Sequence, residues 1–170
     1  MKQRLIILTL LTALAGWGLI IFAFHQANTS VYDKASPEFL QVDTSTTIEN
    51  IKSNKAGLYY FGFESCPWCQ DLLPQLQEEL RNSSSKAYLV NTKSKAFTPE
   101  AKKIVTSIYK EHLGGDKLYV PFLVAINRKG QVRVHMGTVK GHDASSEEMS
   151  SEQLKELKNI LSSLNEFSRS

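Results

Sequence analysis

Residues 57–69 read Gly57-Leu58-Tyr59-Tyr60-Phe61-Gly62-Phe63-Glu64-Ser65-Cys66-Pro67-Trp68-Cys69. The first seven are a nearly continuous aromatic and aliphatic run, the pattern of a strand buried on both faces. From Cys66 to Leu80 the spacing changes. Cys69, Leu72, Leu73, Leu76 and Leu80 recur at helical intervals. A strand therefore runs into a helix, and the cysteine pair lies at the junction. Pro67 suits the first helical turn, where a missing N–H leaves nothing unpaired. Pro74 lies inside the same helix, which either kinks there or ends and restarts.

The alternation continues outward. Asn82-Ser83-Ser84-Ser85 is a turn and Ala87 to Val90 a second buried strand. Thr98-Pro99-Glu100 is a helix start, an N-cap threonine followed by proline. Ala101, Ile104, Val105 and Ile108 form its apolar face, and Gly114-Gly115 stops it. Leu118 to Ile126 reads as a third strand interrupted by Pro121. Asn127-Arg128-Lys129-Gly130 is a hairpin turn, and Gln131 to Met136 returns as a fourth strand. Ser150-Ser151-Glu152-Gln153 caps a last helix carrying Leu154, Leu157, Ile160, Leu161 and Leu164. Upstream, Thr44 to Asn54 gives a modest helix signal and Pro37 to Val42 a short edge strand. The order β-α-β-α-β-β-α implies an α/β fold. Its mixed sheet pairs in parallel through the first crossover, pairs antiparallel at the hairpin, and carries helices on both faces.

The N-terminus is of a different kind. Met1-Lys2-Gln3-Arg4 carries two positive charges, and Leu5 to Phe24 follows with 16 of 20 residues apolar and none charged. Such a run, at about 1.5 Å per residue, spans the roughly 30 Å of a bilayer core. Residues 1–24 are expected to form a transmembrane signal anchor with the C-terminus outside. Residues 25–36 are expected to form a linker, and residues 37–170 the folded domain. A cleaved signal peptide is the competing reading, since Ala13-Leu14-Ala15 has the form of a cleavage site. Both readings export the domain.

The whole chain has 170 residues, of which 42% are hydrophobic and 22% charged, within the range of a folding polypeptide. Its net charge is +3. Without Lys2 and Arg4, 18 basic residues face 17 acidic ones, and no basic block points to nucleic acid. Two cysteines are too few for a disulfide-dense miniprotein or a four-cysteine zinc site.

The chemistry rests on Cys66 and Cys69. A cysteine at a helix N-terminus has its thiolate favoured by free backbone N–H groups and the helix dipole. The thiolate is the nucleophile. Cys66 is thus the candidate attacking group, and Cys69, one turn further in, the candidate resolving thiol. Two other readings compete. A C-x-x-C pair is half a zinc site, but His25, His112, His135 and His142 lack the short spacing of a second half. A structural disulfide closing so small a loop gains little. The dithiol carries two electrons itself, so the redox reading calls for no metal or organic cofactor. Val120-Pro121-Phe122 is the second signal. A proline is unfavourable in a central strand. Either a cis Val120–Pro121 bond leaves backbone free to pair with a bound peptide, or the proline sits in an edge or loop. Trp68 and Phe122 are candidate apolar contacts for such a peptide.

Strand, C-P-W-C, proline-bearing helix, a later strand preceded by proline, hairpin and final helix together resemble the thioredoxin superfamily over roughly residues 40–167. Pro74 stands five residues after the second cysteine, as that family's helix proline does. The resemblance implies a thioredoxin-like fold and catalytic residues Cys66 and Cys69. It also implies a cis-proline at Pro121 facing the dithiol, and a glycine after the last strand at Gly137 or Gly141. Trp68, Val120 and Pro121 are the implied substrate-binding residues. One position departs: the family's buried acid, six before the first cysteine, is Tyr60 here, with Glu64 a partial substitute. The segment Asn91 to Phe97 is expected as a surface loop. The anchored layout also resembles bacterial bacteriocin transport accessory and maturation proteins, which are thought to help form disulfides in exported peptides. The resemblance implies an extracytoplasmic thiol–disulfide oxidoreductase that forms or isomerises disulfides in exported polypeptides. The rivals are a tethered reductase served by a membrane redox partner and a non-catalytic accessory subunit of a peptide export system.

Overall fold

The computed structural model describes residues 31–32 and 36–170. The expected anchor, residues 1–24, lies outside the described residues, as does most of the expected linker. Among the described residues no helix is long and apolar enough to cross a membrane. The unit from Ala35 to Ser170 is an α/β domain. In chain order its elements are α1 (Thr44–Lys52), β1 (Gly57–Gly62), α2 (Pro67–Asn82), β2 (Tyr88–Asn91), α3 (Pro99–Leu113), β3 (Phe122–Ile126), β4 (Val132–Met136) and α4 (Ser151–Arg169).

The four strands form one mixed sheet in the order β2-β1-β3-β4. β1 pairs in parallel with β2 through the α2 crossover, while β1–β3 and β3–β4 are antiparallel. Strand alternation divides β1 between two faces. Tyr59 and Phe61 join Ile48 and Ile51 of α1 and Val105 and Tyr109 of α3 in one core cluster. Leu58 and Tyr60 point the other way, towards the side where α4 packs on β1 and β3 and against α2. Leu72, Leu76 and Leu80 of α2 and Leu157 and Leu161 of α4 are fully buried there.

The helix starts follow their sequence signals. Thr98 Oγ1 accepts from the Ala101 amide, and Ser150 and Gln153 form a reciprocal capping box. Asp43 caps α1 through Thr46, so the modest helix signal there is a real helix. Pro74 lies inside α2, which runs unbroken to Asn82, so the helix does not end and restart.

Three expectations need correction. Residues 37–42 make a single bridge, Phe39 to Ala87, rather than an edge strand. Local bonds from Phe39 N to Ser36 O and from Val42 N to Leu40 O turn the chain instead. The third strand starts at Phe122, not Leu118, because Pro121 cannot donate to a ladder. Asn91 belongs to β2, and Phe97 turns its ring onto Phe61 at 6.2 Å rather than lying free on the surface.

Candidate active site

Sheet register brings the two sequence signals together. Phe61 of β1 pairs with Phe122 of β3. The end of β1, which leads to the cysteine pair, therefore lies beside the start of β3, which follows Val120 and Pro121. Cys66 and Val120 are 54 positions apart in sequence, yet the Cys66 thiol donates to the Val120 carbonyl at 3.6 Å. The Val120–Pro121 bond is cis, as one of the two sequence readings has it. Pro121 is buried, and its carbonyl accepts from the Gly137 amide at 2.9 Å. Gly137 has φ 75°, and a Cβ there would meet nothing within 4 Å. Backbone conformation, not space, makes it glycine. Of the two candidate glycines, Gly137 is the one at this site.

Cys66 is the N-cap of α2, with Pro67 in the first turn. Its sulfur accepts from the Cys69 amide at 3.3 Å. The Cys69 thiol beside it, and after that the amides of Cys69 and Trp68 and the charge of Lys93, pull its pKa down to about 7 against the opposing effect of burial. Lys93 Nζ is held 4.1 Å over the Phe63 ring. Cys69 is shifted the other way. Its neighbour Cys66 and its own burial raise its pKa, while the Phe63 backbone and the Tyr60 hydroxyl oppose the rise. The cysteines are unbridged, with Cys66 4% and Cys69 1% exposed. One dithiol thus holds a thiolate near neutral pH and a buried thiol.

This asymmetry has a direct test. Alkylation of Cys66 by iodoacetamide in the reduced wild type should rise with pH to a midpoint of about 7, below the roughly 8.5 of a free cysteine. A midpoint at or above the free value would overturn the assignment of Cys66 as the activated thiol.

The dithiol opens on a groove of about 460 Å³ between α2, the Leu118–Val120 segment and the end of β4. Of the three residues assigned to substrate binding, Trp68 and Val120 line it, whereas Pro121 is buried behind Val120 and does not. Phe122 does not; it is fully buried in the core, because it follows Pro121 into β3 and turns towards α3. The further apolar walls are Phe63, Leu118, Tyr119 and Met136, which the sequence reading did not single out. Tyr119 is 58% and Met136 42% exposed, unusual for side chains of this size. Their one sequence signal is position: Tyr119 precedes Val120-Pro121, and Met136 pairs with Phe122 across the hairpin.

The histidines are spread out. His112 lies on α3 beside a separate cleft. His135 Nε2 bonds to the Thr138 carbonyl at 2.8 Å, and burial lowers its pKa. His142 is buried between Thr138 Oγ1 at 2.7 Å and Asp71 Oδ2 at 3.5 Å, which pins the β4–α4 loop to α2. His25 lies outside the described residues. Among the described residues, no three His, Cys, Asp or Glu side chains are grouped to hold a metal ion. Glu64 is exposed, and the side chains acting on Cys69 are Cys66 and Tyr60.

No family model matches this chain, and no curated protein matches it.

Proposed function

We propose that this protein is a membrane-tethered, extracytoplasmic thiol–disulfide oxidoreductase of thioredoxin-like fold, which forms or isomerises disulfides in exported polypeptides. One observation carries the reading. The Cys66 sulfur caps the N-terminus of α2 and accepts from the Cys69 amide, beside a buried partner thiol and in the lining of an apolar groove. A structural cysteine pair has no use for that arrangement. The tether and the outward orientation rest on residues 5–24 of the sequence.

The chemistry follows from the pair. A substrate thiolate attacks Cys66 Sγ of the Cys66–Cys69 disulfide. The Cys66–Cys69 bond breaks, its electron pair goes to Cys69 Sγ, and a mixed disulfide joins Cys66 to the substrate. A second substrate thiolate then attacks the substrate sulfur and releases Cys66 as a thiolate. The substrate is oxidised by two electrons and the dithiol reduced by two. A stabilised Cys66 thiolate makes a better leaving group in this second step. Trp68, Tyr119 and Met136 give the groove apolar surface for residues flanking a substrate cysteine, with Val120 beside Cys66.

Trapping tests the reading. In Cys69→Ser the resolving thiol is lost and Cys66 is left to form adducts that cannot be closed. Covalent complexes with exported polypeptides should accumulate on non-reducing gels and vanish on reduction. If none form, or if they persist when Cys66 is also replaced, the proposed reaction is wrong.

A further inference from the structure

The end of β4 is held by buried polar contacts that the exchange chemistry does not use. After Met136 the chain turns at Gly137, whose amide donates to the Pro121 carbonyl at 2.9 Å. Thr138 follows, 3% exposed, and two histidines take its polar atoms. His135 Nε2 donates to its carbonyl at 2.8 Å, and its hydroxyl lies 2.7 Å from His142 Nδ1. The His142 side chain is wholly buried. Its Nε2 faces the Glu147 carbonyl at 3.2 Å and Asp71 Oδ2 at 3.5 Å. A carbonyl and a carboxylate only accept, so Nε2 carries the hydrogen, and Nδ1 of the neutral ring accepts from the Thr138 hydroxyl. One imidazole thereby joins the residue after Gly137 to α2, the helix that is capped by Cys66 and that carries Asp71 two positions after Cys69. The same two elements line the dithiol groove. Pro67 and Trp68 come from α2, and Met136 and Gly137 from the end of β4. An apolar side chain at 142 would serve for packing. An imidazole bonded at both nitrogens fixes direction as well as distance.

We propose that His142 is a positioning residue of the dithiol site: it bridges Thr138 to α2 and so fixes Met136 and Gly137 relative to Cys66 for the binding of polypeptides with apolar residues beside their cysteine. On the exchange reaction proposed above, His142 thereby decides which cysteines the groove accepts. It bonds to neither cysteine sulfur. Without it Cys66 keeps its place, because the α2 N-cap and the bond from the Cys69 amide remain. What is lost is the fixed wall at the end of β4, and binding groups held loosely bind less well and select less sharply.

The test uses the reduced full-length chain in detergent micelles and two single-cysteine peptides, each carried as a mixed disulfide with 2-nitro-5-thiobenzoate. One peptide has phenylalanine and leucine beside its cysteine, the other glycines. The Cys66 thiolate attacks the peptide sulfur, the peptide–aryl S–S bond breaks, its electron pair leaves on the coloured aryl thiolate, and the peptide is joined to Cys66. In the wild type the half-saturating concentration should be lower for the apolar peptide. In His142→Phe that concentration should rise about tenfold, within what a small misplacement of binding groups costs. The glycine peptide and the alkylation of Cys66 by iodoacetamide should be unchanged. His142→Gln should restore the apolar preference, since its amide can accept from Thr138 and donate to Glu147. If His142→Phe does not fold, Thr138→Val removes only the hydroxyl and should lose the preference in the same way. A wild type with no apolar preference, a preference that survives in the folded variants, or a loss shared equally by both peptides and by alkylation overturns the positioning role. A wild type that releases no aryl thiolate from either peptide overturns the exchange reaction itself, so the two failures are distinguishable.

Discussion

Replacing Cys66 with serine should abolish thiol–disulfide exchange, a loss on the order of 10³-fold or more in oxidation of a reduced two-cysteine peptide. A serine hydroxyl does not ionise near neutral pH and cannot form the mixed disulfide. The fold should survive, since serine is among the best N-cap residues and its oxygen can accept from the Cys69 amide as the sulfur does. The thermal midpoint of Cys66→Ser should therefore lie close to the wild-type value while activity disappears. That separation makes the experiment decisive. A variant that folds normally and keeps more than about a tenth of the activity would show that the groove, not the dithiol, does the work. The protein would then be better read as an accessory binding subunit.

Phe122→Ala should cost about 3–5 kcal/mol of folding stability, the usual range for removing a fully buried phenylalanine. The ring is 0% exposed. It packs against Tyr109 of α3 at 5.2 Å and Phe61 of β1 at 6.3 Å. Its backbone lies in the sheet between β1 and β4, so neighbours cannot easily collapse into the space it leaves. Set against a typical domain stability of about 5–15 kcal/mol, that is a large share. Guanidinium unfolding followed by far-ultraviolet circular dichroism should show a markedly lower midpoint with little change in slope. A loss below about 1 kcal/mol would mean that the cavity fills by rearrangement, and that Phe122 is not the pillar the packing indicates.

Much of the fold was legible because local signals were strong. Thr98-Pro99, Ser150 with Gln153, and Asn127 to Gly130 each satisfy a backbone group by local chemistry, and each marks its element boundary in the structure. Misreadings fell where the decision was not local. Leu118 to Val120 is as apolar as a strand, yet it forms a wall of the groove because Pro121 cannot donate to the ladder. Phe39 and Leu40 looked like an edge strand, yet local turns take the Phe39 amide and the Leu40 carbonyl, and pairing stops at the one bridge to Ala87. Phe122 looked like a contact for substrate because it neighbours Pro121, whereas strand alternation sends its ring inward.

The site divides in the same way. The place of the cysteine pair could be read from sequence alone, because two cysteines at a strand–helix junction meet the helix N-terminus whatever the rest of the chain does. Of what faces them, the resemblance implied only the Val120-Pro121 segment. Val120, Lys93, Met136 and Tyr60 reach the cysteine site and its groove from four other places in the chain. The register of β1 on β3 and the β3–β4 hairpin bring Val120 and Met136 there, and Lys93 and Tyr60 act on the two sulfurs. Pattern and capping are properties of neighbours along the chain, so sequence alone determined most of the elements and the place of the cysteine pair. Proximity across the sheet depends on how the whole core packs, so only the tertiary structure decided which side chains surround that pair.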